Sequence, residues 1–321
     1  MGARVGLLSN PGSRGNLAGA LEAMERVALA RGCVVTRGRD AAGLDAAVDR
    51  LLDQGVDLLI VNGGDGTAQR VFTRATRGDF DAPLIGLLAG GRTNASAIDA
   101  GSAGKPIQQL QSFLGWAAGE TSGQTVTRSL IEVSAGGASL GRGLFVAGAG
   151  LSLAIAQCRA FRARYRGALS GTAGTIFWSA RLALRSLVLG RDLPSAHAAL
   201  AGPYGDLFAG SAAMLLATTL RRLPAGLYPF PQSASHGAIR MTLVTPACAH
   251  RWGVLMPLLR GRHHPALTSG NGYHFWQGDT FTLSSAEPLL LDGETITADA
   301  GSFRISADRQ VRLLRTAAIG R

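Results

Sequence analysis

The chain has 321 residues, of which 46% are hydrophobic and 17% charged, which excludes a disordered protein and leaves room for two globular domains. Its formal net charge is +11, and residues 133–278 contain only two acidic residues against fourteen arginines. This charge favours anionic partners such as phosphate groups or an acidic membrane surface. Nucleic acid is disfavoured as a partner because the sequence has no helix-turn-helix, zinc-finger or RNA-recognition signature.

The cysteines and the apolar stretches indicate where the protein works. Cys33, Cys158 and Cys248 lack paired spacing, which is typical of a reducing compartment rather than of a disulfide framework or a zinc site. The first residues show no charged-then-apolar signal pattern, and the uncharged stretch 143–158 is shorter than the roughly 20 apolar residues that span a bilayer. We therefore expect a cytoplasmic protein that contacts the inner face of the membrane peripherally.

The first 120 residues alternate apolar runs with amphipathic stretches. Strands are predicted at 5–8, 33–36, 57–61 and 83–88, and helices at 17–31, at 43–54 and from the turn after the third strand to about residue 76. Apolar strands that alternate with helices indicate a parallel sheet covered on both faces. In such sheets ligands bind beyond the carboxyl ends of the strands.

Beyond about residue 123 the pattern changes to short strands separated by turns. Hairpins are predicted at 126–134 with 139–147 and at 195–201 with 206–217, further strands at 238–245, 279–284, 288–292 and 302–306, and helices at 151–163, 173–189 and 248–260. We expect an α/β domain over residues 1–123 and an antiparallel, β-rich domain with helical insertions over residues 124–321.

The strongest functional signal is the run Gly63-Gly64-Asp65-Gly66-Thr67, which directly follows the third predicted strand and begins a helix. Glycines let a phosphate approach the backbone, and the free N–H groups at a helix start can bind it. A carboxylate such as Asp65 fits there beside Mg²⁺ or a reacting hydroxyl. A tight turn between strand and helix is the alternative, but it would not need three glycines. The sequence has no GxxxxGK[ST] segment, so backbone groups and arginines must hold the phosphates.

Two further glycine-rich loops follow predicted strands. Asn10 begins the loop after the first strand, and Gly91, Thr93 and Asn94 lie in the loop after the fourth. Together with the run at 63–67, they outline a nucleotide site at one edge of the sheet.

Far along the chain, Asp292-Gly293-Glu294 ends another predicted strand. Its two carboxylates could supply a general base and a contact to metal or nucleotide. A plain Asp-Gly hairpin turn is the alternative interpretation.

These motifs, in this order, resemble the diacylglycerol kinase catalytic family, which includes bacterial lipid kinases, sphingosine kinases and ceramide kinases. The resemblance covers nearly the whole chain and implies an α/β nucleotide-binding domain, a β-sandwich-like lipid-binding domain and a site for ATP and Mg²⁺ between them. It implies that Asp292 takes the proton from the acceptor hydroxyl, with Asp65 also catalytic, and that Asp65 and Glu294 contact the metal. The residues that would bind ATP are Asn10, Gly63, Gly64, Asp65, Gly66, Thr67, Gly91, Thr93, Asn94 and Glu294.

The sequence departs from the family pattern at four positions that are usually acidic. They are Arg70, Ala95, His236 and Arg240. The last two put in doubt a structural magnesium site found in some relatives. We expect an ATP-dependent lipid kinase that phosphorylates the hydroxyl of a diacylglycerol or of a ceramide or sphingoid lipid. A catalytically impaired regulatory protein that binds nucleotide or lipid is the first alternative, and a small-molecule kinase of the NAD kinase type is the second.

A membrane surface is predicted in the second domain. Residues 159–191 contain seven arginines and no acidic residue, and Trp178, Arg181 and Arg185 share one face of the predicted helix 173–189. This is typical of a helix that lies on anionic lipid. An ordinary amphipathic helix packed on the second domain is the alternative. The segment 227–231 could line an acyl-chain groove or form a rigid loop. The sequence identifies neither the lipid nor whether the chain forms a homo-oligomer.

Overall fold

The structure is a computed structural model. It describes residues 3–13, 15–16, 19–78, 82–91, 93–102, 104–164, 193–221, 223, 226–231, 236–299 and 301–316. Within these residues, sixteen strands form two sheets.

The N-terminal part alternates strands and helices as predicted. Its elements are β1 (Val5–Ser9), α1 (Ala20–Ala30), β2 (Val34–Arg37), α2 (Ala41–Asp53), β3 (Leu58–Gly63), α3 (Asp65–Ala75), β4 (Leu84–Ala89), α4 (Ala95–Ala100) and α5 (Pro106–Ala117). The four strands pair in parallel in the order β2-β1-β3-β4.

Helices cover both faces of this parallel sheet. Helices α1 and α5 pack on one face, where Met24 and Phe113 join Leu7 in one apolar core. Helices α2 and α3 pack on the other face, where Leu51 and Phe72 lie in a second core. Burial on both faces explains why the strands are continuous apolar runs, and it confirms the predicted α/β architecture.

The rest of the chain is mostly antiparallel sheet. Its elements are β5 (Gly123–Ala135), β6 (Ala138–Gly143), β7 (Phe145–Gly148), α6 (Gly150–Arg164), β8 (Ala196–Gly202), β9 (Gly205–Ala212), β10 (Met214–Thr218), β11 (Ile239–Val244), α7 (Arg251–Leu259), β12 (Tyr273–Gly278), β13 (Thr280–Ser285), β14 (Leu289–Leu291), β15 (Glu294–Ile296) and β16 (Ser302–Thr316).

These strands form two sheets packed face to face, which confirms the predicted sandwich. One sheet has the order β12-β11-β10-β7-β14-β15. Its inner residues, such as Leu215 and Met241, share a core with Ile131, Phe281 and Phe303 of the other sheet. Alternate residues of β10 and β14 face away from this core and join a separate apolar cluster that includes residues of α6.

Strand β16 connects the two parts of the molecule. Its first half pairs with β13, and its second half runs parallel to β4, with Leu313 opposite Ile85. The sequence predicts this strand only to residue 306. The pairing with β5 is irregular between Ser306 and Arg309, and the polar residues at this bulge interrupt the alternation that marks a strand.

Two helices of the N-terminal part, α4 and α5, are absent from the sequence prediction. Helix α5 begins with Pro106 at its first turn, a recognised start signal, and buries Leu110 and Phe113 against the sheet. The helix predicted at 173–189 lies outside the described residues. None of the helices in the described ranges is long and apolar enough to cross a membrane.

Candidate active site

Three loops at the carboxyl edge of the parallel sheet contact one another. The loop after β1 is fixed to β3, because Asn10 donates its backbone N–H to the carbonyl of Asn62 at 3.0 Å. The Asn10 side chain donates to the Thr67 hydroxyl at 2.8 Å. The loop after β4 joins them, because its Gly90 carbonyl accepts the backbone N–H of Gly15 at 2.9 Å and the hydroxyl of Ser13 at 2.5 Å.

Glycine is required where two of these loops meet. A Cβ atom on Gly64 would lie 3.2 Å from the Cα atom of Gly91, and one on Gly91 would lie 2.5 Å from the Cα atom of Gly64. The second distance is too short for any real contact. The two backbones therefore touch only because neither residue has a side chain.

The start of α3 lies at the edge of the cleft and has no side-chain cap. Its N-cap is Gly64, which has an extended conformation and no side chain that could accept a hydrogen bond. The first N–H groups of an α-helix have no partner within the helix, and they carry the positive end of the helix dipole. The run Asp65-Gly66-Thr67 at this position is therefore a ready site for a phosphate group.

A cleft of about 410 Å³ opens in front of these loops, and residues of both parts of the molecule line it. From the predicted site it includes Asn10, Gly64, Asp65, Gly66, Thr67, Gly91, Thr93, Asp292 and Glu294. It also includes Ser13, Arg39, Asp40, Ala41, Leu44 and Arg70, which the sequence does not single out for the site. Arg39 and Arg70 add positive charge to a cleft that contains several carboxylates.

Gly63 and Asn94, two predicted ATP-binding residues, do not line this cleft. Asn94 accepts a hydrogen bond from the N–H of Gly91 at 2.6 Å and donates to the Gly91 carbonyl at 3.1 Å. A Cβ atom on Gly63 would lie 2.5 Å from the Cβ atom of Thr67. Both residues thus shape the loops behind the cleft.

Asp292 reaches the cleft through a hairpin turn. Asp292 and Gly293 have φ angles of 48° and 91° and connect β14 to β15, with Leu291 opposite Glu294. This is the two-residue turn for which Asp-Gly is favoured. The hairpin interpretation is correct for the local structure, and the same turn brings the Asp292 carboxylate to the site.

The Asp292 carboxylate is partly buried and is held by backbone donors. It accepts hydrogen bonds from the N–H groups of Leu144 at 2.9 Å and Phe145 at 3.0 Å. Burial raises the pKa of Asp292 to about 8, the charge of Asp65 adds to the increase, and the two backbone hydrogen bonds oppose it. A carboxyl group whose pKa lies near neutral pH is suited to accepting and returning a proton.

Two glycines make room for the carboxylates of the second part. A Cβ atom on Gly143 would collide with the carboxylate of Asp292. A Cβ atom on Gly66 would lie 2.7 Å from Oε1 of Glu294, so this side chain lies at the start of α3. The sequence prediction overlooked Gly143. The one sequence signal at this position is a glycine within a strand, which often marks the close approach of another group to the backbone.

A metal ion fits the cleft only together with a nucleotide. Asp65 accepts a hydrogen bond from the N–H of Ser96 at 3.0 Å, and Glu294 lines the same cleft. In the described ranges, no group of three or more His, Cys, Asp or Glu residues is arranged to hold a metal. Mg²⁺ in nucleotide sites commonly has one or two carboxylate ligands and takes the rest from phosphates and water. The donors present match that arrangement and not an all-protein cage.

Two of the four positions that depart from the family pattern, Arg70 and Arg240, contact other side chains. Arg70 donates to both carboxylate oxygens of Asp45 on α2, at 3.0 and 3.2 Å, at the edge of the cleft. His236 is exposed, and the guanidinium of Arg240 lies 5.9 Å from the ring centre of Tyr228. Arg70, His236 and Arg240 therefore carry basic side chains, rather than carboxylates that could bind a metal, at positions that are usually acidic in the family pattern.

Comparison with known proteins bears on the family and the fold of the chain. Residues 4–122 match the model of the diacylglycerol kinase catalytic domain. A search of curated proteins finds no match by sequence. Two solved structures from Bacillus anthracis str. Sterne, one described as a candidate diacylglycerol kinase and one as a diacylglycerol kinase, share 13% and 12% identity with the chain. Their TM-scores are 0.67 and 0.63, and 99% of each chain is covered. The family resemblance predicted from the motifs is confirmed, and the likeness in fold extends over the whole chain.

Proposed function

We propose that this protein is a lipid kinase that transfers the γ-phosphoryl group of ATP to a hydroxyl of a membrane lipid of the diacylglycerol, ceramide or sphingoid type. The observation that carries the proposal is that Asp292, from the second part of the chain, lines the same cleft as the glycine turn of α3. Phosphoryl transfer depends on alignment and charge neutralisation more than on covalent chemistry by the enzyme. A cleft with phosphate-binding donors on one wall and a carboxylate on the other meets this need.

In this proposal the start of α3 holds the polyphosphate of ATP. The free N–H groups of its first turn and the guanidinium groups of Arg39 and Arg70 offset the phosphate charge. Asp65 and Glu294 would hold Mg²⁺, which would supply positive charge to neutralise the charge that develops during transfer.

Asp292 is the proposed base. Its carboxylate takes the proton of the acceptor hydroxyl while the hydroxyl oxygen forms a bond to the γ-phosphorus atom. The bond between that phosphorus and the β–γ bridging oxygen breaks, and ADP leaves with the electron pair. The backbone donors at Leu144 and Phe145 fix the carboxylate in position for this step.

A buried apolar cluster beside Asp292 supports a lipid acceptor. Phe145, whose N–H donates to Asp292, packs in a cluster with Leu216, Phe230 and Leu290. Tyr228 packs against the same cluster. The segment 227–231, predicted as a groove or a rigid loop, is thus in contact with residues next to the base. A small polar acceptor, as in the NAD kinase alternative, would not need these apolar residues.

The regulatory alternative rests on Arg70, which replaces an acidic residue at the edge of the cleft and pairs with Asp45. In that case the cleft would bind nucleotide without transferring phosphate. We favour the kinase because Asp65 and Asp292 are both in the cleft.

The proposal is tested with labelled ATP and a panel of lipids in mixed micelles. Asp292→Asn should lower the transfer rate by a factor of about 100 to 10,000, the usual contribution of a positioned base, without abolishing nucleotide binding. Asp53→Asn, a change of the same kind at an exposed position of α2, is the matched control. Equal rates for Asp292→Asn and wild type would remove the assigned base. Nucleotide binding without transfer to any lipid would favour the regulatory alternative.

A further inference from the structure

Helix α7 exposes a large apolar face. Trp252, Leu255 and Met256 are 44%, 37% and 50% exposed, although such side chains are usually buried. Their spacing puts them on one side of the helix. The residues that anchor α7, Val254 and Leu258, are buried in a core with strands β11 and β12. The exposed side chains are therefore not needed for the packing of α7 within the described residues.

A neighbouring loop extends this face. The N–H of Tyr228 donates to the carbonyl of Leu259, the last residue of α7, at 2.7 Å. The preceding residue, Leu227, is 43% exposed. We refer to Trp252, Leu255, Met256 and Leu227 as the α7 patch.

The charge around the α7 patch is positive. Residues 207–278, which include α7 and the strands beneath it, contain six arginines and no acidic residue. Two of these arginines, Arg260 and Arg262, directly follow the helix and are exposed. Leu29, an exposed leucine on α1, differs in this respect because Glu22 and Glu25 belong to the same helix.

We propose that the α7 patch docks the protein onto the surface of an anionic lipid bilayer. Tryptophan and aliphatic side chains enter the interface between headgroups and acyl chains, and arginines beside them bind anionic headgroups. A protein partner of ordinary charge could cover the apolar residues of the patch. It would not explain why residues 207–278, more than seventy positions, contain no acidic residue.

The α7 patch also leads to the cleft. Tyr228, beside Leu227, packs on the cluster that contains Phe145, and Phe145 donates to the Asp292 carboxylate. Apolar residues therefore continue from the docking surface to the proposed base. This part of the inference rests on the proposed function, whereas docking itself does not. The helix predicted for this role at 173–189 lies outside the described residues, and the α7 patch consists of other residues.

The test is binding of the full chain to vesicles, without ATP and without acceptor lipid. Wild-type protein should co-sediment with vesicles of equal parts phosphatidylcholine and phosphatidylglycerol, and only weakly with phosphatidylcholine alone. The double variant Leu255→Asp/Met256→Asp should bind the mixed vesicles at least about tenfold more weakly. Arg260→Glu/Arg262→Glu should lose the preference for phosphatidylglycerol, and high salt should have the same effect on wild type.

Leu29→Asp is the matched control, because it puts the same charge on an exposed leucine outside the patch and should bind like wild type. Circular dichroism and thermal melting establish that the variants are folded. Unchanged binding of the folded Leu255→Asp/Met256→Asp variant would overturn the proposal, as would absence of wild-type binding. If wild type is a dimer in solution and this variant is a monomer that still binds vesicles, the patch would instead contact a second copy of the chain.

The kinase assay separates this inference from the proposed function. With a short-chain acceptor dissolved in water, Leu255→Asp/Met256→Asp should be as active as wild type. Its kinase activity should fall below that of wild type only when the acceptor is in vesicles. Vesicle binding without any lipid phosphorylation would refute the kinase and leave the docking surface supported.

Discussion

Asp65 and Asp292 belong to opposite walls of one cleft, and they interact through their charges. Burial is the main cause that raises the pKa of Asp292 to about 8, and the negative charge of Asp65 adds to it. Asp65 is held differently, by the N–H of Ser96 at the start of α4. Two carboxylates in different environments can take different roles, one beside a metal and one in proton transfer. The predictions below test this arrangement.

The partly buried carboxyl group of Asp292 makes the stability of the protein depend on pH. The folded protein keeps the Asp292 proton up to about pH 8, whereas the unfolded chain releases it near 3.8, the ordinary pKa of an aspartate. Between these values the folded state binds more protons, so the free energy of unfolding falls as the pH rises, by at most about 1.4 kcal/mol per pH unit. Asp292→Asn lacks this dependence. Urea unfolding at a series of pH values should show that the free energy of unfolding of Asp292→Asn rises relative to that of wild type from about pH 4 to pH 8. Above pH 8 the difference should stay constant. The same pH dependence for Asp292→Asn and wild type would contradict the raised pKa of Asp292. The control Asp53→Asn should show the pH dependence of wild type.

Gly143→Ala should displace the base without closing the nucleotide site. The added Cβ atom would occupy the position of the Asp292 carboxylate, which must then move away from Leu144 and Phe145. We expect phosphoryl transfer to fall by about 100-fold or more, because a shift of about 1 Å in a reacting group has an effect of this size. Calorimetry should find nucleotide affinity close to that of wild type. Gly270→Ala, where an added Cβ meets nothing within 4 Å, is the control. Full activity of Gly143→Ala would show that the carboxylate position is not critical.

Gly91→Ala should weaken nucleotide binding. Its Cβ atom would lie 2.5 Å from the Cα atom of Gly64, so the two loops must separate. Because Gly64 precedes the first turn of α3, the phosphate-binding N–H groups would move with it. We expect the affinity for an ATP analogue, measured by calorimetry, to fall at least about tenfold. Gly253→Ala, which has open space around the new methyl group, should bind like wild type. An unchanged affinity of Gly91→Ala would mean that the loop contact does not shape the site.

A buried ion pair holds α4, and its loss should be costly. Asp99 accepts from Nε of Arg128 at 2.5 Å and from the N–H of Arg221 at 2.9 Å, and the Asp99 side chain is fully buried. Asp99→Ala would leave the Arg128 charge buried without an opposite charge, which typically costs about 3 to 5 kcal/mol of stability. Urea unfolding measures this loss. Glu120→Ala, which breaks an exposed pair with Arg31, should cost no more than about 1 kcal/mol. Similar losses for the two variants would contradict the buried pair.

Local features of this fold follow from the sequence. The glycine turn at 63–67 was predictable because an apolar strand ends at its start and a helix begins within it. Strand and turn signals act over such short spans. The Asp292-Gly293 turn was predictable for the same reason. Helix α5 is absent from the sequence prediction, although Pro106 is a recognised start signal for a helix.

Contacts between distant residues could not be predicted in this way. Asp292 depends on the N–H groups of Leu144 and Phe145, which precede it by 148 and 147 positions, and backbone donors leave no mark in the residue type. Arg39 lines the cleft because β2 lies next to β1 in the sheet, and only the strand order reveals this. The sequence thus predicts which loops carry chemistry better than it predicts what holds each side chain in place.

The path of β16 has a consequence for how the protein is made. One edge of β4 pairs with β3, and the other is completed by β16, which is synthesised more than two hundred residues later. A nascent chain whose first four strands have already left the ribosome therefore carries an open strand edge throughout the translation of the second domain. Unpaired edges of this kind invite association with other chains. Chaperones that bind extended hydrophobic segments would protect the molecule during this interval.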